Sequence, residues 1–457
     1  CNLNEILCHQ RFFFYSTEVK LSTCMGHHQS KQFTTEIAFS EEELKLLKLK
    51  YAKMMGVEVN KLTSKQTCSS EDFLNSSDGI LSMELCDHLY NLMKGHHPGN
   101  KDQVDLSSYI FIASKLIKGS PKEKAKCLIL LASPQELPET RQVDSLLLQR
   151  YCEEVVKCGL DLCLRTRPYW SPNVPQENIS LVCLSSLMEL LYPGSTPKDL
   201  FQLEFLSTPC ELAAIERWLL GSPLVSRIQD FLYQNIFGLE SPSLLPLCAT
   251  PNVGSFLLDS SQILFLNMHL PQDLRHHWVL LFSTRHHGDN FSAMARRIIN
   301  VGPTLTVVKS SGGRLFGGFA SQSWGFKGNY FGNSSCFLFS LYPRMGVYSS
   351  TGYNTHYQYI NSEQHTIPNG LGFGGSLKHF TMWLDADFGH GHSSKTCSTF
   401  NSPQLAETDD FTVSEVEVWG LNRVTIIQVD QGERSGIVDS DPTAKAFLSL
   451  LGRPLND

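Results

Sequence analysis

Residues 302–324 read GPTLTVVKSSGGRLFGGFASQSW. TLTVVK and RLFGGFAS are short runs rich in β-branched and aromatic residues, and the Ser-Ser-Gly-Gly between them supplies the turn chemistry of a β-hairpin. Similar runs lie on either side: WVLLFST at 278–284, CFLFSLY at 336–342, YQYI at 357–360, KHFTMWLD at 378–385 and FTVSEVEVW at 411–419. That many short strands divided by Gly-rich turns imply a β-sandwich core. ARRII, at 295–299, reads as one of the few helices among them.

Upstream the grammar changes. LESPSLLPLCATPNVG is rich in Pro and Ser and lacks periodicity, so 239–257 reads as a linker. Residues 36–238 carry helix signals throughout. In AFSEEELKLLKLKYAKMM, Ser40 and Glu43 make a capping box, Phe39 staples against Leu44, and Leu44, Leu47, Tyr51 and Met54 recur at helical spacing. VDLSSYIFIASKLIKG gives a second helix ending at Gly119, and Ser120, Pro121 and Glu123 start a third. The fold class expected is therefore a multidomain α + β chain. Its parts are an N-terminal segment 1–35, an all-α half 36–238, the linker 239–257, a β-sandwich region after it, and a C-terminal extension.

The extension carries its own helix signals: Asp441 as cap, Pro442 at the first position, Gly452 at the end and Pro454 beyond. Ala444, Phe447, Leu448 and Leu451 fall on one face of it. A helix of about ten residues is not stable alone in water, so that stripe must be covered by this chain's own core or by a partner groove.

Composition bounds the function. The chain has 457 residues, 42% hydrophobic and 18% charged, with a formal net charge of −7 and no long basic run, which argues against nucleic acid as a partner. Fourteen cysteines without a dense regular spacing read as reduced, mostly buried thiols. RFFFY near the start is too short for a signal peptide, and no stretch approaches the roughly 20 apolar residues of a membrane span. The default expectation is a cytosolic protein.

Several residue sets invite chemistry. Ser283, His286, His287, Asp289 and Ser292 contain the types of a hydrolytic triad, but no G-x-S-x-G elbow accompanies them and the same types brace polar turns. Asp385, Asp387, His390 and His392 can be drawn as a metal site, yet Asp and Gly are also ordinary turn formers after a strand. Cys336 and Cys397 read as core or half-buried thiols. GGRLFGGF and GLGFGG lack the context of phosphate loops and suit close sheet packing. Around DGILSMEL, a calcium loop with Gly79 sixth puts Leu74 first and Leu85 twelfth, so its ligands are missing. No catalytic residue, metal or cofactor is expected.

Taken in order, STRHHGDNFSAM, GPTLTVVKSSGGRLFGGFASQSW, GNSSCFLFSL, GFGGSLKHFTMWLDADFGHGHSSKTCSTFNSP and FTVSEVEVWGL resemble a TLDc domain from start to finish. The resemblance covers residues 258–421, implies a β-sandwich with peripheral helices there, and leaves 422–457 as a C-terminal extension with a helix. One departure is His287-Gly288-Asp289-Asn290, where many members have His-Gly-Glu-Ser. A helical, EF-hand-like half in front resembles the lysosomal, mTOR-associated subgroup of that family. The resemblance implies a non-enzymatic adaptor or regulator on the cytoplasmic face of the lysosome. Its partner would be the cytosolic part of the vacuolar proton-pumping ATPase, with a link to mTOR signalling. Two other classes stand beside it: an oxidative-stress enzyme, peroxide-handling or hydrolytic, built on the TLDc His and Cys residues, and a calcium sensor. His286, His287 and Asp289, with Phe447, Leu448 and Leu451, are the expected partner-binding residues. The subgroup begins with Met-Gly, which bears on MGHHQSK at 25–31: translation from Met25 would expose Gly26 to N-myristoylation and give the protein a lipid for the lysosomal membrane. The same pattern recurs at Met345–Ser350, so the motif alone is weak.

Overall fold

A computed structural model describes residues 38–63, 66–77, 79–94, 103–134, 141–250, 255, 257–377 and 379–421. Gly26, Phe447, Leu448 and Leu451 lie outside them.

The helical half begins as its caps dictate. Ser40 accepts the Glu43 N–H at 3.2 Å while its own N–H reaches the Glu43 carboxylate at 2.8 Å, starting helix Glu41–Met54. Ser120 and Glu123 repeat the device at helix Pro121–Ala132. The helices are arranged as helix–loop–helix units in two pairs. In the first pair β1 (Thr67–Cys68) bridges antiparallel to β2 (Val104–Asp105), and in the second β3 (Gln142–Asp144) bridges to β4 (Pro209–Glu211). Each short strand runs straight into a helix: Ser70–Ser76, Leu106–Ala113, Ser145–Thr166 and Leu212–Gly221. The stretch 74–85, considered above as a calcium loop, is not a loop of this kind. Leu74 ends in helix Ser70–Ser76 and Leu85 lies in helix Met83–Lys94, so the stretch joins two units.

The second half is built on β5 (Leu247–Cys248), β6 (His277–Ser283), β7 (Thr304–Ser310), β8 (Leu315–Ala320), β9 (Phe337–Tyr342), β10 (Gly346–Ser349), β11 (Gln358–Asn361), β12 (Gly370–Phe373), β13 (Met382–Asp385), β14 (His390–Ser393) and β15 (Asp410–Gly420). Neighbours run in the order β10-β9-β8-β7-β15-β14-β13-β12-β11, with β6 also on β15 and β5 parallel to β6. The hairpin read from SSGG is β7–β8. The start of β15 pairs with β14 and the rest with β7 and β6, so this one strand passes from one layer to the other. The layers meet through Phe316 against Phe411 and Trp324 against Phe373, with ring centroids 5.3 and 5.5 Å apart.

The layer containing β6 to β9 is buried on both faces. Val308, Phe316, Ala320 and Leu338 point into the sandwich, while Val307, Leu315, Phe319 and Phe337 join a core continuous with the helices. That is why these strands are apolar at successive positions rather than alternating. At the junction Trp170 from the helical half meets Trp278 and Trp419 of the sheet, with centroid separations of 6.2, 5.6 and 6.0 Å. Each indole N–H has a partner: Pro246 O at 2.8 Å, Asn267 Oδ1 at 3.2 Å and Glu417 Oε2 at 3.1 Å respectively. The segment 239–257, which reads as a linker, is packed where it is described: Leu239, Leu245 and Cys248 are buried in the shared core. Among the described residues no helix is long and apolar enough to cross a membrane.

Candidate functional site

The histidine turn follows directly from β6. Gly288 takes a left-handed conformation, φ 74°, and ends helix Thr284–His287, after which Asn290 caps helix Phe291–Ile298 by accepting the Ala293 N–H at 2.8 Å. His287 stacks on Phe282 and its Nδ1 accepts the Ser283 backbone N–H at 3.0 Å. Partial burial, with Arg297 and His286 nearby, holds its pKa below the ordinary histidine value. His286 and Asp289 are exposed. Thr284 Oγ1 accepts the Val416 N–H at 3.2 Å, and Arg285 grips Glu415 with two bonds of 2.6 and 2.9 Å. The turn therefore ties β6 to β15. The residues do not form a triad: His287 Nδ1, the nitrogen an orienting acid would hold, instead accepts a backbone amide, which leaves the neutral ring's proton on Nε2, where a base would need a lone pair, and Ser292 is exposed on the next helix.

The acidic turn between β13 and β14 separates its histidines by partner. His390 Nδ1 meets Asp387, while His392 Nδ1 meets Asp410 at 2.8 Å. Asp387 also accepts the N–H groups of Gly389 and His390, and Asp385 accepts that of Asp387. The His390 bond lowers the Asp387 pKa, and that of His390 rises for the same reason. Among the described residues no group of three or more His, Cys, Asp or Glu is arranged to hold a metal.

The thiols are equally engaged. Buried Cys336 donates to Ser321 Oγ at 3.1 Å and accepts the Ser321 N–H at 3.3 Å, and desolvation pushes its pKa up. Half-buried Cys397 accepts from the Thr381 hydroxyl at 2.6 Å and the Phe400 N–H at 3.1 Å. The glycines pack rather than bind: a Cβ on Gly317 would lie 1.9 Å from Thr306 O.

One feature went unread in the sequence. Between the two halves lies an apolar groove of about 310 Å³, walled by helix Gln176–Leu191, the segment 197–205 and the β9–β10 turn. Arg344, in that turn, donates to the carbonyls of Leu200 and Leu203 and so straps the helical wall to the sheet. Nothing around Tyr-Pro-Arg-Met at 342–345 marks this, since the partners are backbone atoms some 140 residues away.

The class the geometry defines is thus a helical half fused through one core to a two-layered, mostly antiparallel sheet. The TLDc domain family model matches residues 252–422. The MTOR-associated protein MEAK7 of Homo sapiens is 33% identical over 407 residues, 85% of this chain and 88% of that protein. That of Xenopus laevis is 41% identical over 263 residues, 55% of this chain and 57% of that protein. Oxidation resistance protein 1 of Bos taurus is 34% identical over 185 residues, covering 40% of this chain and 20% of that protein. The chain belongs to the MTOR-associated protein MEAK7 family of TLDc-domain proteins.

Proposed function

We propose that this protein is a non-enzymatic adaptor on the cytoplasmic face of the lysosome, that it binds the cytosolic part of the vacuolar proton-pumping ATPase, and that it links that surface to mTOR signalling. The observation that carries the reading is the commitment of the TLDc side chains with chemical potential. His287, His390, His392, Cys336 and Cys397 each make a hydrogen bond to a backbone amide, carboxylate or hydroxyl within the fold. What such a molecule offers a partner is surface, and the names of its relatives support an association with mTOR.

The helical half supports docking over calcium sensing. Its paired loops have the layout of EF-hands, with Ser69, Asp105, Asp144 and Glu211 as the residues that cap the exiting helices. Counting these as the ninth loop position, the twelfth residues are Asp72, Ser108, Leu147 and Ala214, where a calcium loop requires a bidentate Glu. Asp72 is the one carboxylate, and it already accepts from the Ser69 N–H and hydroxyl at 3.0 and 2.6 Å.

Membrane attachment through Gly26 is part of the reading. A single myristoyl chain binds only marginally, so the ATPase supplies the second contact, with Phe447, Leu448 and Leu451 and the His286–Asp289 turn as contact residues. Pull-down of the tagged protein from detergent-solubilised lysosomes, followed by subunit identification, tests the partner. Recovery of ATPase subunits is expected, and their absence overturns the assignment. Mass spectrometry of the native N-terminus tests the lipid, and a chain that always retains an unmodified 1–24 segment removes it.

A further inference from the structure

The groove between the halves is preformed. Leu181, Leu184, Phe205 and Val347 line it while staying partly exposed, and Met188 and Met345 line it from buried positions. Strapping by Arg344 fixes one wall to the other. Its size is at the small end of ligand cavities, and its lining is mostly Leu, Met, Phe, Pro and Val with Glu189, His269 and Arg344 among them, which suits a few apolar side chains of a peptide segment.

We infer that this groove seats the apolar stripe of the chain's own C-terminal segment, Ala444, Phe447, Leu448 and Leu451. Where the described chain ends makes this occupant the natural one. Leu421 donates to Pro303 O directly after Gly420, and Gly420 pairs with Thr304, Thr304 with Ala320, Phe319 with Phe337 and Phe337 with Ser349. Leu421 and Ser349 therefore sit at the same end of the sheet, four strand spacings or roughly 20 Å apart, and the β9–β10 turn lies at the other end of β10, roughly 10 Å further along that strand. Leu421 and the Met345–Val347 rim also share the helix-facing side of the sheet. Residues 422–440 can span up to about 65 Å, so the stripe reaches the groove with chain to spare. Tethering makes the encounter intramolecular, at an effective concentration that a free partner or second copy must exceed. Because the same stripe is offered to the ATPase in the function proposed above, groove and ATPase compete for it, and the tail is released when the partner takes it. The docking itself does not depend on which partner that is.

Hydrogen exchange on the full-length chain, without any partner, tests the docking. Substituting Leu448→Asp should accelerate exchange in 200–205 and 343–349 by about tenfold or more, and Leu184→Asp should do the same for 444–451. Near-UV circular dichroism of the tryptophan cluster establishes that each variant is folded, and Val347→Asp replaces Leu184→Asp if that one is not. If groove substitutions leave 444–451 unchanged, or Leu448→Asp leaves the groove unchanged, the docking is wrong. Protection that disappears on dilution, together with dimer dissociation in sedimentation, assigns the groove to a second copy and overturns it as well. Since no ATPase is present, each of these failures leaves the partner assignment untouched.

Discussion

The helical half and the sheet half are specified in opposite ways, although they share one core. Helices Glu41–Met54 and Pro121–Ala132 begin where a serine and a glutamate three residues on close a box, so their starts are written within four residues. Strand β15 is held by β14, β7 and β6, whose residues lie up to about 140 positions away in the chain. Local encoding gives elements, and non-local pairing gives their arrangement. Fusing the two through Trp170, Trp278 and Trp419 makes each half lean on the other.

The largest expected effect breaks that fusion. Trp419→Ala removes a fully buried indole facing both partner tryptophans and leaves Glu417 short of a donor, and we expect a loss of about 3–5 kcal/mol in chemical denaturation. The transition should stay single when followed by far-UV and near-UV circular dichroism. Two separated transitions would show that the halves fold independently and that the shared core is a contact rather than a dependence.

Next comes a contrast between glycines. Gly317→Ala forces a Cβ into Thr306 O and the Phe339 ring and should cost about 1–3 kcal/mol, whereas Gly221→Ala, at a helix end with nothing within 4 Å, should be neutral or stabilise by up to about 1 kcal/mol. Equal thermal shifts for the two would contradict the packing argument. Smaller again, Ser120→Ala should cost about 1 kcal/mol by opening one capping box, with Thr at that position recovering most of it.

What was legible in the sequence follows the same division. Ser40, Glu43, Ser120, Glu123 and the Ser-Ser-Gly-Gly hairpin act over a few residues, and each is where the sequence places it. The loop pairing was not legible, because Cys68 opposite Val104 and Val143 opposite Cys210 are two-residue contacts between segments far apart in the chain, and a search for Gly and carboxylates settles on 74–85 instead. Segment 239–257 has the composition of a linker, yet Leu245 and Cys248 are buried because β6 offers a parallel edge. At the histidine turn the residues were evident but their roles were not. His287 can be a base or a brace, and only the Ser283 amide on its Nδ1 decides.

That decision has a pH signature which sets the two histidine turns against each other. His287 must remain neutral to accept the Ser283 N–H, and its folded pKa lies below the ordinary value of about 6.5. Its contribution is therefore complete above about pH 6.5 and is lost as pH falls through that value towards the folded pKa. His390 has the reverse sign. Asp387 raises its pKa, so what it contributes is complete below about pH 6.5 and is lost as pH rises through the higher folded value, and its exposure keeps that contribution small. NMR titration of the imidazole resonances should accordingly place the His287 midpoint below that of His390. His287→Gln should flatten the acid-side fall in stability, while His390→Gln should leave that limb unchanged and affect the alkaline side slightly. If His287 titrated at or above His390, its nitrogen would be facing a carboxylate or solvent rather than an amide, and the bracing role that separates this turn from a catalytic one would be lost.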